Sequence, residues 1–492
     1  MHRCQSRRRL SDALSKAHIY NEMEERVNDI NQRLDRLPIV GSHKWVIGIF
    51  MFAYFFELSD LSTFAYAAPQ LIKNWGIHLH AIALITSASF GGMFVGALVG
   101  GVLGDRFGRK TVFVLSVLVY TVASFLNGFA WDIWSLAAFR LITGLGLSAM
   151  TVVASTYTIE FFPAQTRGRI LSLIIAFSLV GIPITAWVAR GLVTTGPEGW
   201  RYIFIWGALG ILVVPAAIVK LNESPRWLER RGETERAQRI VARLETAAIA
   251  RHGELPPFRA DQQLYVPPKV SHAQIFGSEY RPRLIVFMLT SIFSTLGFYG
   301  FIAWVPSLLV EHGFSVVKSL SYSSLMAICN PLGALIAMTM IEKVERKYMI
   351  AGAALFIAVL VSMYGWTTNP VLIVAFGAAV MIGLQAITVA FWTFESESFP
   401  TDIRSGATGL IYGVGRMANI IGPFIVSGLY GAFGYYSVFM YIVTCFLIGG
   451  AIVAVFGPKS TGLSLESIGE AQTGAASKAM LDMKAVKTRG SL

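Results

Sequence analysis

Twelve runs of apolar residues, each long enough to cross about 30 Å of hydrocarbon as a helix, constrain this chain of 492 residues more than any other feature. They lie near 45–66, 81–103, 112–131, 134–159, 170–192, 201–220, 284–309, 321–341, 350–366, 370–394, 407–431 and 437–456. A bilayer offers no water to a lipid-exposed backbone, so runs of this length fold as helices that satisfy their own N–H and C=O groups. The expected fold class is an all-α membrane protein with twelve transmembrane helices. A charged, Pro-containing segment at 222–283 divides the runs six and six. Composition agrees, because 54% hydrophobic and 14% charged residues make the chain too apolar for a soluble globular protein.

The net charge of +12 could suit nucleic acid, but its distribution excludes that partner. With the N-terminus inside, the inner segments hold 35 Lys and Arg residues and the outer segments hold 4, while Arg140 and Arg416 lie within runs. Such an excess marks the cytoplasmic side, so both termini are expected there, in a multi-pass protein of the inner or plasma membrane. The first 40 residues lack the apolar core of a signal peptide. Residues 1–44 read as a solvated cytoplasmic arm, followed by an N-terminal six-helix half at 45–221, a cytoplasmic linker at 222–283, a C-terminal half at 284–456 and a cytoplasmic tail at 457–492. Cys4, Cys329 and Cys445 show no paired spacing, the eight His show no metal-ligand spacing, and no phosphate-binding loop appears. No metal, cofactor or enzyme site is implied.

The halves are internal repeats. Gly104-Asp105-Arg106-Phe107-Gly108-Arg109-Lys110 after run two meets Ile341-Glu342-Lys343-Val344-Glu345-Arg346-Lys347 after run eight, 237 positions later. Glu160-Phe161-Phe162-Pro163 with Arg167 meets Glu397-Ser398-Phe399-Pro400 with Arg404 at the same spacing, as does Pro69, read as ending run one, with Pro306. Duplicated halves are usual in transporters. Run two also carries Gly92, Gly96, Gly100 and Gly104 on one helical face, a close-packing signal, and its counterpart keeps small residues at Cys329, Gly333 and Ala337.

These residues resemble the major facilitator superfamily. The Gly104–Lys110 loop matches that superfamily's motif between spans two and three, Arg140 with Gly144, Gly146, Glu160, Pro163 and Arg167 matches its span-four pattern, and Glu223-Ser224-Pro225-Arg226-Trp227-Leu228 resembles the segment after span six in its sugar-porter-like branch. The Gln signatures of hexose porters in spans five and seven are missing. Glu57-Leu58-Ser59-Asp60 instead resembles the span-one element of aromatic-acid:proton symporters and of nicotinate-type and synaptic-vesicle-protein-like carriers, with Glu in place of the first Asp. The resemblance implies alternating access, with a proton gradient as driving force and no cofactor.

A carboxylate within a membrane helix needs a partner, a proton or an aqueous cavity, and Glu57 and Asp60 share one helical face. Helix rise puts Asp60 roughly 22 Å from the inner end of span one and Arg140 roughly 10 Å from the outer end of span four. In a 30 Å core these depths nearly coincide, so Asp60 is expected to pair with Arg140 and, when separated from it, to take up a proton; Glu57 is a second carrier or a substrate contact. A fixed Asp60–Arg140 clamp is the alternative. Arg416 suits a substrate carboxylate, or else pairs with Glu395 or backbone carbonyls. Tyr54, Tyr299, Trp304, Gln385, Trp392 and Asn419 are candidates to line a cavity for a flat organic acid. Asp105, Arg106, Arg109, Glu160 and Arg167, with Glu397 and Arg404 in the second copy, are expected to form an asymmetric charged latch.

The function expected is proton-coupled symport of a small organic, carboxylate-bearing or aromatic acid metabolite by a monomeric carrier in the lipid bilayer. A sugar or polyol carrier, a drug or metabolite exporter of the same fold, and a non-transporting membrane sensor remain open alternatives.

Overall fold

The computed structural model describes residues 30–163, 165–256, 275–278, 280–341, 343–399 and 401–458. Twelve helices among them are long and apolar enough to cross a membrane. Spans one to four are Gly41–Trp75, Leu79–Phe107, Arg109–Asn127 and Ile133–Phe161, and spans five and six run over Arg167–Val193 and Gly199–Lys220. Spans seven to ten are Arg281–Ile302, Val316–Met340, Arg346–Trp366 and Pro370–Ser398, and spans eleven and twelve are Gly406–Phe433 and Tyr435–Phe456. Large aromatics stand exposed at the ends opposite the basic loops, including Trp131, Trp134 and Trp366. Amphipathic rings of this kind sit at membrane–water boundaries.

Internal packing separates two compact units. Among the described residues, the first takes those up to Thr63, then 88–181 and those after 200 as far as 256; the second takes 64–87, 182–200 and those from 275 onward. The dividing line crosses span one between Thr63 and Phe64, so the far ends of spans one and five belong with the C-terminal helices. There the Ser324 hydroxyl donates to the Ala186 carbonyl at 2.9 Å and Arg190 Nε donates to Ser321 Oγ at 2.8 Å.

Within the first unit, spans two and four touch along the glycine face. A methyl on Gly96 would overlap the Leu145 carbonyl, and one on Gly100 would lie 2.6 Å from the Ala149 Cα. The repeat reproduces the crossing in the second unit, where a methyl on Gly333 would lie 2.6 Å from the carbonyl of Ile382, the residue 237 positions after Leu145.

Two sequence expectations change. Residues 30–40 are not a solvated arm. Ile30, Leu34, Leu37 and Val40 are almost wholly buried in one cluster with Ala237, Val241, Leu244 and Ala248 of the linker helix Thr234–His252. The heptad-like spacing of these residues, hidden among charges, is the signal that a charge-based reading passes over. Residues 1–29 and 459–492 lie outside the described residues. Pro69 does not end span one, because the helix continues through it to Trp75; its counterpart Pro306 instead opens a separate short helix, Val305–Glu311.

Glu245 fastens the docked segment. Arg33 Nη2 and Arg36 Nη2 reach its carboxylate at 2.6 and 2.7 Å. Burial pushes the acid up, but the hydrogen bonds and charges of Arg33 and Arg36 outweigh burial and hold it below its ordinary 4.5. A depressed acid stabilises the contact above 4.5 and loses that effect as pH falls through its folded value. Hydrogen exchange at 30–37, corrected for intrinsic rate, is expected to stay constant from pH 8 to 5 and to rise as pH falls below the ordinary 4.5. Unchanged protection at pH 3 would show that the pair does not hold the segment.

Candidate functional site

The polar centre of the first unit is built on Asp60, which is completely buried. Span four places Arg140 Nη1 3.5 Å from Asp60 Oδ2. Span three supplies Ser124, whose hydroxyl donates to Asp60 Oδ1. Arg140 is itself positioned by span two, where its Nε donates to Ser89 Oγ at 3.0 Å, and the Thr63 hydroxyl donates to the Asp60 carbonyl at 2.6 Å. The span-four helix starts in a capping box, in which Asp132 Oδ1 accepts from the Ser135 amide at 2.7 Å. At 3.5 Å the guanidinium–carboxylate contact is longer than a tight charge-assisted hydrogen bond.

Span six meets this centre with glycine. A methyl on Gly207 would overlap Asp60 Oδ1 and approach Ser124 Oγ at 3.1 Å. One turn on, a methyl on Gly210 would overlap the hydroxyl of Tyr120. Glu57 is buried on span one and, with Asp60, is one of the two carboxylates acting electrostatically on Tyr120. The sequence expectation paired Asp60 with Arg140, which meet here, but it missed Ser124, Ser89, Thr63, Tyr120 and the two glycines. A signal existed in span three, where the buried Ser116, Tyr120, Ser124 and Asn127 recur at helical spacing in an otherwise apolar run.

The repeat has no second copy of this centre. The residues 237 positions after Asp60, Ser89, Ser124 and Arg140 are Gly297, Met326, Val361 and Gly377. Phe446 closes on Gly297 and the Met326 sulfur fills the space at Gly377. One half carries charge where the other carries apolar packing.

Of the groups expected to form a latch, Arg109, Glu160 and Asp105 meet at the basic ends of spans two to four. Arg109 Nε and Nη2 grip Glu160 at 2.9 and 3.0 Å, and Nη2 also meets Asp105 at 2.7 Å. Arg230 supplies the second cation at Glu160. The anchor missed from sequence is Glu223, whose Oε1 accepts from the Arg109, Lys110 and Ser224 amides at 2.8, 3.1 and 2.9 Å and so caps the start of span three. Burial raises the affinity of Glu223 for its proton, partly offset by those three amides and by the charge of Arg109. Gly108 allows this approach, with φ +97° and no room for a side chain beside Glu223 and Trp227. Arg106 is exposed and contributes its carbonyl, to Arg231, while Arg167 is half-buried at the start of span five. In the second copy Arg346 Nη2 meets Glu397 at 3.2 Å, the counterpart of Arg109–Glu160, and Arg404 Nε donates to the Phe399 carbonyl at 3.2 Å. Glu342 lies outside the described residues.

The residues proposed to line a cavity are divided between the two units. Tyr54 is in the first unit, its hydroxyl bonded at 3.0 Å to the Thr151 carbonyl and at 2.8 Å to Ser155. The other five, and Arg416, belong to the second. Gln385 donates to Asn330 Oδ1 at 3.1 Å. Trp304 is buried at the break before Val305–Glu311, Tyr299 meets the edge of Phe298, and Trp392 is about half-exposed. Arg416 donates to the Tyr412 hydroxyl and lies 4.8 Å from that ring's centroid. Glu395 is bonded to Thr408, eight residues or about 12 Å before Arg416 along span eleven. Asn419, one turn beyond Arg416, is buried with neither amide atom hydrogen-bonded among the described residues.

Twelve spans in two repeats, a buried ion pair in one repeat and charged clusters at the basic ends of both fit a membrane transporter of the major facilitator fold rather than an enzyme. The chain belongs to the Sugar (and other) transporter family, whose pattern it matches over residues 41–471. It is 41% identical to the putative metabolite transport protein YyaJ of Bacillus subtilis, over 87% of this chain and 95% of that one. It is 31% identical to the niacin transporter NiaP of Acinetobacter baylyi, over 90% of this chain and all of that one. Among solved structures, a D-xylose-proton symporter superposes with TM-score 0.68 at 17% identity, covering 85% of this chain and 99% of that one, a likeness of fold.

Proposed function

We propose that this transporter carries a small organic acid, aromatic in class, together with protons moving down their gradient. It works by alternating access as a monomer in the inner or plasma membrane, with both chain ends in the cytoplasm. The observation that carries the reading is Asp60, fully buried, facing Arg140 at 3.5 Å. A rocking motion that draws span four from span one would strand that carboxylate in low dielectric, and a proton neutralises it at less cost than leaving the charge unpaired. The absence of a like pair at Gly297 and Gly377 supports a single coupling centre.

The substrate class is supported by Arg416, a buried guanidinium beside the Tyr412 ring, next to the unsatisfied Asn419 amide. A planar donor fork suits a carboxylate and an aromatic face suits a flat ring. The relative named as a niacin transporter moves a molecule of that kind. Replacing Arg416 by Lys keeps the charge but loses the fork. The expected result in proteoliposomes is a KM for nicotinate raised about tenfold with little change in protein stability, as one charged hydrogen bond is worth about 1.5–3 kcal/mol. Wild-type affinity in the Lys variant would remove Arg416 from substrate binding.

A further inference from the structure

We infer that Tyr120 relays the coupled proton between Asp60 and Glu57, so that Glu57 is the exit group toward the basic end of span one. This relay rests on the proton-coupled reading above and adds a path to it. Tyr120 is fully buried in span three, and its hydroxyl has no hydrogen-bond partner among the described residues. A buried hydroxyl left unsatisfied costs about 1–3 kcal/mol relative to one that is bonded, so its retention in a well-packed place calls for a reason.

The surroundings are shaped to keep that hydroxyl where it is. Gly146 of span four admits the Tyr120 backbone, with a methyl there only 2.6 Å from the Tyr120 amide nitrogen. Gly210 of span six admits the hydroxyl, and Gly210 lies in a 3-10 segment, Leu209–Leu212, that interrupts span six. Short 3-10 stretches inside a helix often mark hinges. Gly207, one turn earlier on the same helix, admits the Asp60 carboxylate. Neighbouring helical residues three apart hold their Cβ positions about 5–6 Å apart, so the carboxylate and hydroxyl seated against these two glycines are within reach of one bridging water or one side-chain rotation.

The charged groups facing this hydroxyl are few. Asp60 and Glu57 act on it from span one, and Arg140 of span four lies beyond Asp60. Span three after Lys110 and span six between Arg201 and Lys220 contain no charged residue. Glu57 is one turn closer to the basic end than Asp60. Transfer is balanced without a charged tyrosine: the Asp60 acid gives its proton to the Tyr120 oxygen as the hydroxyl's own proton passes to the Glu57 carboxylate, directly or through water. Rotation of the new O–H then resets the relay. Asp60 is left ionised to meet Arg140 again.

The test uses full-length protein in proteoliposomes loaded with a pH-sensitive dye, with nicotinate and 4-hydroxybenzoate as probes. Tyr120→Phe removes a hydroxyl that makes no hydrogen bond, so folding and probe-for-probe counterflow, which needs no net proton release, are expected to stay within about twofold of wild type. Net probe uptake with proton movement is expected to fall about a hundredfold, the lower end for loss of an acid–base group. Glu57→Gln is expected to lose net uptake with proton movement to a similar degree. Equal loss of counterflow and net uptake would assign Tyr120 to packing, and unchanged net uptake would remove it from the path; either overturns the relay while leaving coupling at Asp60 intact. A wild type in which neither probe brings protons would overturn the coupling reading and the relay together. Gly210→Ala guards against a misfolded Phe variant: its methyl would displace the hydroxyl, and the Tyr120→Phe/Gly210→Ala pair removes that overlap. Stability recovered in the pair, with net uptake still low, is the expected pattern; net uptake recovered with stability would overturn the relay.

Discussion

Asp60→Asn is expected to lose accumulation of nicotinate driven by a pH gradient, down to the level of protein-free vesicles, while keeping counterflow. The amide preserves the shape of the carboxylate and a partner for the Ser124 hydroxyl but cannot cycle a proton. Arg140 keeps its bond to Ser89 and its approach to the Asp60 carbonyl. Removing one partner of a buried ion pair costs about 3–5 kcal/mol, so lower thermal stability in detergent accompanies the loss. Size-exclusion chromatography separates a folded, uncoupled carrier from an unfolded one. Full retention of gradient-driven accumulation would reduce Asp60–Arg140 to a structural clamp.

Gly96→Ala is expected to damage the fold rather than the chemistry. Its methyl would overlap the Leu145 carbonyl and lie 2.8 Å from the Leu145 Cα, and neither backbone atom can turn aside. Spans two and four would have to separate, and with them Ser89 and Arg140. Overpacking of this kind costs about 1–3 kcal/mol or more, read as a lower melting temperature and less solubilised protein. The neighbouring Gly101→Ala is the control, because its methyl would meet only Val152 Cγ1, at 4.0 Å. Equal melting temperatures for both variants would show that spans two and four are not held by the glycine face.

The span count, the repeat and the glycine face were legible because they follow from the length of apolar runs and from fixed spacings, which the bilayer enforces on every helix. Asp60 and Arg140 were legible for a related reason, since depth along two helices is simple arithmetic. What surrounds them was not. Ser124, Ser89 and Thr63 are residues that any helix carries, and only the packing of four spans gathers them around one buried ion pair. Glu223 was visible within a motif, but not as the cap on span three, because that contact joins residues 114 positions apart in sequence. The docked segment 30–37 was hidden by charge: Arg33 and Arg36 read as solvated until Glu245 of the linker helix is placed beside them.

The most direct test of coupling is uptake of labelled nicotinate by proteoliposomes bearing wild-type protein, with an imposed gradient of one pH unit, compared with protein-free vesicles and with vesicles treated with a protonophore. One proton per substrate allows accumulation of about tenfold across such a gradient. Protein-dependent accumulation that collapses with the protonophore is the predicted result. Protein-dependent entry that stops at equal concentrations and ignores the protonophore would contradict proton-coupled transport.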